Sequence, residues 1–97
     1  MPTYITLFRW TQEGIEKVKE SPDRVDAARE LFRQFGAELK AFYIVMGQYD
    51  AVIVSEAPND EAIAKISLAA GSKGAVRSET MRAFTEEEYR KIISALP

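Results

Sequence analysis

The spacing of bulky apolar residues changes several times along the chain, and each spacing predicts a different kind of element. Positions that alternate every second residue are typical of strands, whereas positions that recur every third or fourth residue are typical of amphipathic helices. By the first criterion the sequence contains four strands, at residues 3–10, 38–46, 51–56 and 75–83.

Two helices are predicted between these strands. Ser21-Pro22-Asp23 is typical of a helix start, with Ser21 as N-cap and Pro22 at the first helical position. Pro58-Asn59-Asp60-Glu61 begins the second helix, which ends at Gly71-Ser72-Lys73-Gly74. Residues 11–20 precede the first helix, and we expect a short helix or turn there with Thr11 as its N-cap.

A third helix is predicted at the end of the sequence. Thr85-Glu86-Glu87-Glu88 has the pattern of a capping box, in which the first and last side chains bond to each other's backbone N–H groups. We expect the buried side of this helix to consist of Ile92, Ile93 and Leu96.

The predicted order of elements is therefore β-α-β-β-α-β-α, which favours an α+β fold. The natural solution is a ferredoxin-like split β-α-β arrangement, with a four-stranded antiparallel sheet and helices on one face. A length of 97 residues corresponds to one domain, which we expect to comprise residues 1–97.

The strands carry apolar residues on both faces, so the second face also needs cover. In the first strand, for example, Phe8 and Trp10 share one face while Ile5 and Leu7 share the other. Four strands about 4.8 Å apart and about 26 Å long present a face of roughly 500 Å², which is more than soluble monomers usually leave exposed. We therefore expect a homodimer or higher oligomer of the dimeric α+β barrel kind, with a partly aromatic cavity between or beside the packed sheets.

Composition excludes several classes of function. A net charge of −2 with interspersed charges lacks the basic stripe that nucleic-acid binding requires. The sequence has no cysteine and no histidine, so it has neither a thiol nucleophile nor the commonest metal ligand. We therefore predict no metal, no cofactor and no nucleic-acid partner. No signal-peptide pattern or membrane-spanning run is visible, so we expect no membrane association and a cytoplasmic location.

The segment Gly47-Gln48-Tyr49-Asp50 lies between two apolar runs and predicts a tight hairpin turn. Tyr49 and Asp50 could instead contact a ligand or a partner subunit. Aromatic residues of the strands could line a pocket for a flat aromatic or apolar ligand. The candidate ligand-binding residues are Trp10, Tyr43, Tyr49, Asp50, Arg77 and Thr80.

The same segment, followed by Glu56-Ala57-Pro58-Asn59-Asp60-Glu61, resembles the GYD-domain family. Further matches are Thr11 and Gly14, the Pro22-x-Arg24 pair, and the stretch from Gly74 through Arg77 and Thr80 to Phe84. The resemblance covers nearly the whole chain, and it implies a ferredoxin-like fold similar to that of the dimeric α+β barrel proteins. The family has no established activity, so the resemblance implies no catalytic residues.

Three functions remain open from the sequence. The first is a homo-oligomeric module that binds a small ligand or regulates another protein through the sheet face. The alternative is a cofactor-independent enzyme of the monooxygenase or isomerase kind on a dimeric α+β barrel. A shifted pKa of a buried tyrosine or carboxylate inside a cavity would favour the enzyme. The third is an interaction module without any small ligand.

Overall fold

The computed structural model describes all residues 1–97, and its elements follow the predicted order. A short 3₁₀ turn, Val18–Glu20, precedes the second helix. The bounds are β1 Thr3–Trp10, α1 Gln12–Glu16, α2 Ser21–Gln34, β2 Glu38–Ile44, β3 Ala51–Glu56, α3 Asp60–Ser72, β4 Val76–Ala83 and α4 Glu86–Ser94.

The four strands form one antiparallel sheet in the order β2-β3-β1-β4. β1 is central and pairs with β3 on one side and β4 on the other, with Leu7 opposite both Val52 and Glu79. This order confirms the α+β, ferredoxin-like prediction. Because successive side chains of a strand point to opposite faces, each residue of β1 belongs either to the helix-covered face or to the opposite one.

The core lies between the sheet and the helices α2 and α3. Tyr4 and Phe8 of β1 are only 2% and 7% exposed, and they share this face with Ile53 of β3. Phe32 comes from α2, while Ile63 and Ile66 come from α3. Only 14 of the 97 residues are buried, so the core of a single chain is small.

Helix starts show why α2, α3 and α4 begin where they do. Asn59 caps α3 by accepting a hydrogen bond from the N–H of Ala62 at 2.9 Å. The predicted capping box of α4 is complete. The backbone N–H of Thr85 donates a hydrogen bond to the carboxylate of Glu88, and this bond lowers the pKa of Glu88. The start of α2 differs from the prediction by one residue. Its N-cap is Glu20 because the 3₁₀ turn runs directly into the helix.

The prediction that α4 has a buried side is wrong for the single chain. None of its residues is buried: Ile92 and Ile93 are 44% and 47% exposed, and Leu96, which follows the helix, is 61% exposed. The radius of gyration is 14.6 Å, compared with about 13 Å for an average domain of this size. This elongation agrees with a terminal helix that packs on no other layer of the chain. No helix has both the length and the apolar composition needed to cross a bilayer.

Gly14 of α1 fixes the short helix against the start of β4. The hydroxyl of Thr11 accepts the N–H of Gly14 at 3.1 Å and donates to the carbonyl of Gly74 at 2.5 Å. The backbone N–H of Thr11 donates to the carbonyl of Ala75 at 3.0 Å. A Cβ atom on Gly14 would lie 2.0 Å from that carbonyl oxygen. The backbones therefore approach so closely that position 14 has no room for a side chain.

We predict that Gly14→Ala destabilises the protein by about 2–3 kcal/mol, because a backbone carbonyl must move to admit the methyl group. Gly71→Ala is the matched control, since a Cβ there meets no atom within 4 Å and α3 gains about 0.5–1 kcal/mol of helix propensity. Urea unfolding of both variants measures the difference. Equal stability of Gly14→Ala and the unsubstituted protein would show that the contact is not rigid.

Candidate functional site

An apolar cavity of about 150 Å³ lies on the helix-covered side of the sheet, between α2 and α3. Fifteen of its 21 lining residues are hydrophobic, so its interior favours an apolar occupant. Its floor is formed by the sheet, and its sides are formed by the two helices. The principal wall residues are Phe8, Trp10, Phe42, Ile53 and Val76 of the strands, Val25, Ala28, Leu31 and Phe32 of α2, and Ile63, Ile66 and Ala70 of α3.

Small residues on the facing sides of the helices leave this space open. Ala27 and Ala28 of α2 and Ala70 of α3 line the cavity, and none reaches across to the opposite helix as a leucine would. Ala27 and Lys73 of the lining are exposed, so the space is open to solvent at its mouth. The two helices therefore leave an open apolar pocket where longer side chains would have filled the space.

Three hydroxyl groups at the cavity wall, those of Thr6, Ser67 and Thr80, form a connected set. Thr6 and Thr80 lie opposite each other on β1 and β4, and their hydroxyl oxygens are 3.0 Å apart. The hydroxyl of Ser67 on α3 lies 3.3 Å from that of Thr80. Because these groups satisfy each other, the wall at Thr6 and Ser67 does not require a polar partner from an occupant.

Charged side chains are found only at the mouth of the cavity. Arg24 in the first half of α2 and Lys73 at the end of α3 are its two charged lining residues. Arg24 donates to the backbone carbonyl of Lys17. Neither Arg24 nor Lys73 belongs to any of the seven ion pairs of the chain. Both positive charges are therefore without a carboxylate partner within 4.0 Å.

A second, polar depression of about 320 Å³ adjoins this mouth. Besides Arg24 and Lys73, it contains the carboxylates of Glu13, Glu20 and Asp23. No three carboxylates of the chain lie close enough together to hold a metal ion. The depression is therefore a solvated area of mixed charge outside the apolar cavity. Its remaining lining residues are Lys17, Ala27 and Ala75.

The connection between β2 and β3 runs over residues 45–50 and is longer than the predicted four-residue turn. Gly47 adopts φ +138°, a conformation that favours glycine. The guanidinium of Arg9 lies 4.5 Å above the ring centre of Tyr49, and its Nε donates to the carbonyl of Gln48 at 2.7 Å. The hydroxyl of Tyr49 donates to Glu79 at 3.0 Å, and this bond raises the pKa of Tyr49. The loop is therefore attached to β1 and β4.

Asp50 joins the loop to the end of β1 through backbone groups. Its carboxylate accepts the N–H of Trp10 at 3.0 Å, and its own N–H donates to the carbonyl of Phe8 at 2.9 Å. Its carbonyl accepts the N–H of Val45 at 3.0 Å. Trp10 lines the cavity, so Asp50 fixes the backbone that carries one of the cavity walls.

Tyr4 is the buried tyrosine whose pKa is shifted, and it lies outside the lining of the cavity. Burial and a hydrogen bond from its hydroxyl to the carboxylate of Asp60 raise its pKa above the ordinary value of 10.0. The guanidinium of Arg82, 5.8 Å from the ring centre, acts in the opposite direction. The arrangement keeps the phenol protonated and joins β1 to the first turn of α3.

The six predicted ligand-binding residues fall in three different places. Trp10 lines the cavity, and Thr80 contacts its wall through Thr6 and Ser67. Tyr43 and Arg77 lie on the opposite, open face of the sheet, where they are aligned with Val52 and Arg9. Tyr49 and Asp50 belong to the loop. Because side chains alternate along strands, a single cavity cannot contain both Trp10 and Arg77.

Sequence reasoning missed the residues at the cavity mouth, Arg24 and Lys73. The local pattern indicates only a helix start near Arg24 and a helix end at Lys73. The available signal was the pair of small residues in each helix, Ala27-Ala28 and Ala69-Ala70, within otherwise bulky stripes. That pattern becomes informative only when the two helices are known to face each other.

The open face of the sheet has an apolar centre. It is formed by alternate residues of all four strands, and its rim carries Arg9, Arg77 and Glu79. Tyr43 and Met81 are 59% and 45% exposed. Its other apolar members are Ile5, Leu7, Ala41, Val52 and Val54.

Comparison with known proteins identifies a matching family and a similar protein. The family model described as GYD domain matches residues 4–93. A Thermus thermophilus protein described as glutamine synthetase and cystathionine beta-lyase binding protein is 38% identical over 84 residues, which are 86% of this chain and 88% of that protein.

Solved structures agree with the fold. TTHA0845 from Thermus thermophilus superposes with a TM-score of 0.54 at 24% identity, covering 88% of this chain and 95% of that one. MtbAldR gives a TM-score of 0.68 at 9% identity, and the leucine response regulatory protein LrpA of Mycobacterium tuberculosis gives 0.57 at 13%. Each match covers 87% of this chain but only 52% and 51% of those two chains. At these identities the likeness concerns the fold.

We predict that Asp50→Ala destabilises the protein by about 1–2 kcal/mol, because the backbone at the end of β1 loses a charged acceptor. The matched variant Asp50→Asn keeps an oxygen at the same position and should retain most of the stability. Amide hydrogen exchange at Trp10 provides a local measurement, with faster exchange expected only in Asp50→Ala. Unchanged protection of Trp10 in Asp50→Ala would contradict this role.

Proposed function

This chain belongs to the GYD domain family, and we propose that it acts as a self-associating binding protein that regulates partner enzymes. The open face of the sheet is the observation that carries the proposal. On the side opposite α2 and α3, Tyr43 of β2 and Met81 of β4 are exposed, and the apolar residues of β1 and β3 between them are partly exposed. A continuous apolar patch that the chain itself leaves partly uncovered is typical of an interaction surface.

A second copy of the chain is the occupant that we propose for this face. The sheet face offers roughly 500 Å², whereas a standard interface buries about 800 Å² on each partner. The exposed apolar residues of α4 supply further area, because Tyr89, Ile92 and Ile93 are between 44% and 56% exposed. We therefore place both the open face and α4 in the interface between two copies.

Charges on the rim suit a pairing of two identical faces. Arg9 and Arg77 lie opposite each other near one end of the strands, and Glu79 is the next open-face residue of β4. In a two-fold symmetric pair, a patch that contains both signs can place the cations of one copy near the carboxylate of the other.

The regulatory part of the proposal is supported by the Thermus thermophilus relative. That protein is described as binding glutamine synthetase and cystathionine beta-lyase. The match extends over 88% of its length, so the comparison concerns nearly the whole of both proteins. We propose that this chain binds enzymes of the same kind. The cytoplasmic location expected from the sequence suits such partners and stays a prediction.

The positions of the tyrosines favour a binding protein over a cofactor-independent enzyme. The enzyme alternative requires a group of shifted pKa inside a cavity. Tyr4 and Tyr49 have raised pKa values, but neither lines the apolar cavity. A raised pKa also makes a phenol a weaker acid at neutral pH, so both tyrosines act as hydrogen-bond donors to carboxylates.

We predict that the protein has twice its 10.9 kDa chain mass in solution, and that Ile5→Lys makes it monomeric. Ile5 lies opposite Val54 and Met81 in the middle of the open face. A lysine there can reach the diagonal neighbours Glu56 and Glu79 in the single chain, but its charge would be buried in the interface. Native mass spectrometry at micromolar concentration measures the outcome.

Ala64→Lys is the matched control, since it adds the same charge on the exposed side of α3. This variant should keep the doubled mass. A monomeric unsubstituted protein, or a doubled mass in Ile5→Lys, would refute the proposed use of the open face.

We further predict that the purified protein binds purified glutamine synthetase or cystathionine beta-lyase from its own organism. Dissociation constants of about 1–10 µM are expected for a reversible regulatory contact. Biolayer interferometry with each immobilised enzyme, and with an unrelated enzyme as control, measures this binding. Absence of binding to both enzymes at about 100 µM would refute the regulatory assignment and leave self-association as a separate result.

A further inference from the structure

We propose that the cavity between α2 and α3 binds a small apolar monocarboxylate, with its hydrocarbon part inside and its carboxylate between Arg24 and Lys73. This site lies on the side of the sheet opposite the proposed interface. It therefore does not depend on self-association or on enzyme binding.

The volume of the cavity sets the size of the hydrocarbon part. An apolar cavity of about 150 Å³ in another protein accepts benzene, and the pocket of this chain has the same volume with an open mouth. A phenyl ring or a branched chain of similar size therefore fits. Larger groups would require α2 and α3 to separate.

The walls favour a flat or branched apolar group. Phe8 and Phe42 have their ring centres 6.1 Å apart, and Phe8 and Trp10 meet edge to face at 6.3 Å. These rings form one wall, while Ala28 and Ala70 provide space on the helix side. Aromatic edges and faces of this arrangement pack well against a further ring.

Charge at the mouth defines the other end of the ligand. Arg24 and Lys73 are the charged residues of the cavity lining, and neither has a carboxylate partner. An arginine and a lysine on opposite sides of an opening are suited to a carboxylate. The site therefore combines an apolar chamber with an anion-binding rim.

A monoanion fits this rim better than a dianion. Glu20 and Asp23 border the adjoining depression, and Glu13 lies there as well, 3.9 Å from Lys17. Their negative charges offset part of the positive potential near Arg24 and Lys73. A phosphate monoester would bring a second negative charge toward these carboxylates, so we assign a carboxylate to the site.

The single tryptophan of the chain reports occupancy directly, because Trp10 lines the cavity. We use phenylacetate as the probe and phenylacetamide as its neutral counterpart. Titration of phenylacetate should change the fluorescence of Trp10 with a dissociation constant of about 0.1–1 mM. Phenylacetamide and phenyl phosphate should each bind about tenfold more weakly.

Substitutions separate the two parts of the site. Lys73→Met should weaken phenylacetate binding by about tenfold and leave phenylacetamide binding unchanged. Lys65→Met, on an exposed position of the same helix, is the matched control and should alter neither. Ala28→Leu should abolish binding of both probes by filling the cavity, and Ala70→Leu serves the same purpose if the first variant does not fold.

Several results would overturn the proposal. One is the absence of any saturable response to phenylacetate at about 10 mM. Equal affinity for phenylacetate and phenylacetamide would show that the site does not recognise a carboxylate. Tighter binding of phenyl phosphate than of phenylacetate would show that it prefers a dianion. Unchanged binding in a folded Ala28→Leu or Ala70→Leu variant would place the probe outside this cavity.

Discussion

A single layer of helices can cover only one face of a sheet, and the structure follows from this constraint. β1 is central, and its alternate residues show the two outcomes. Tyr4 and Phe8 face α2 and α3 and are almost completely buried, whereas Ile5 and Leu7 face away and remain only partly covered. The chain thus forms one small core and leaves a second apolar surface on the reverse of the same strand.

The residues that resemble the family pattern meet at one end of β1. Asp50 accepts the backbone N–H of Trp10, and Tyr49 lies under Arg9. On the other side, Thr11 bonds to Gly74 and Ala75 across the close approach at Gly14. These contacts fix the strand end that supplies Trp10 to the cavity. The short sequence signature therefore stabilises the position of a cavity wall.

The sequence predicted the elements well because periodicity and capping are local properties. Thr11 and Thr85 cap the helices that follow them, as their local patterns predicted. The cavity could not be predicted in this way. It depends on how far apart α2 and α3 lie, and that separation is decided by contacts between residues distant in the sequence.

Helix α4 shows a second limit of prediction from local sequence patterns. Its amphipathic pattern correctly identified an apolar side, but the pattern does not say which surface covers that side. Within one chain nothing does, since Ile92 and Ile93 are nearly half exposed. An apolar stripe in the sequence therefore indicates a helix side that favours burial, and either the same chain or a neighbouring chain can bury it.

Stability connects the cavity with the exposed surfaces. Small domains are stable by only about 5–15 kcal/mol, and the apolar pocket between α2 and α3 leaves its lining side chains with fewer contacts than a filled core would give them. A chain with only 14 buried residues has few other apolar contacts to offset this. Burial of the open face and α4 against a second copy would restore apolar contact without filling the cavity. Occupation of the cavity by a ligand would restore contact on the other side of β1. Burial of the open face and occupation of the cavity would therefore each add apolar contacts independently, because β1 presents a different set of side chains to each.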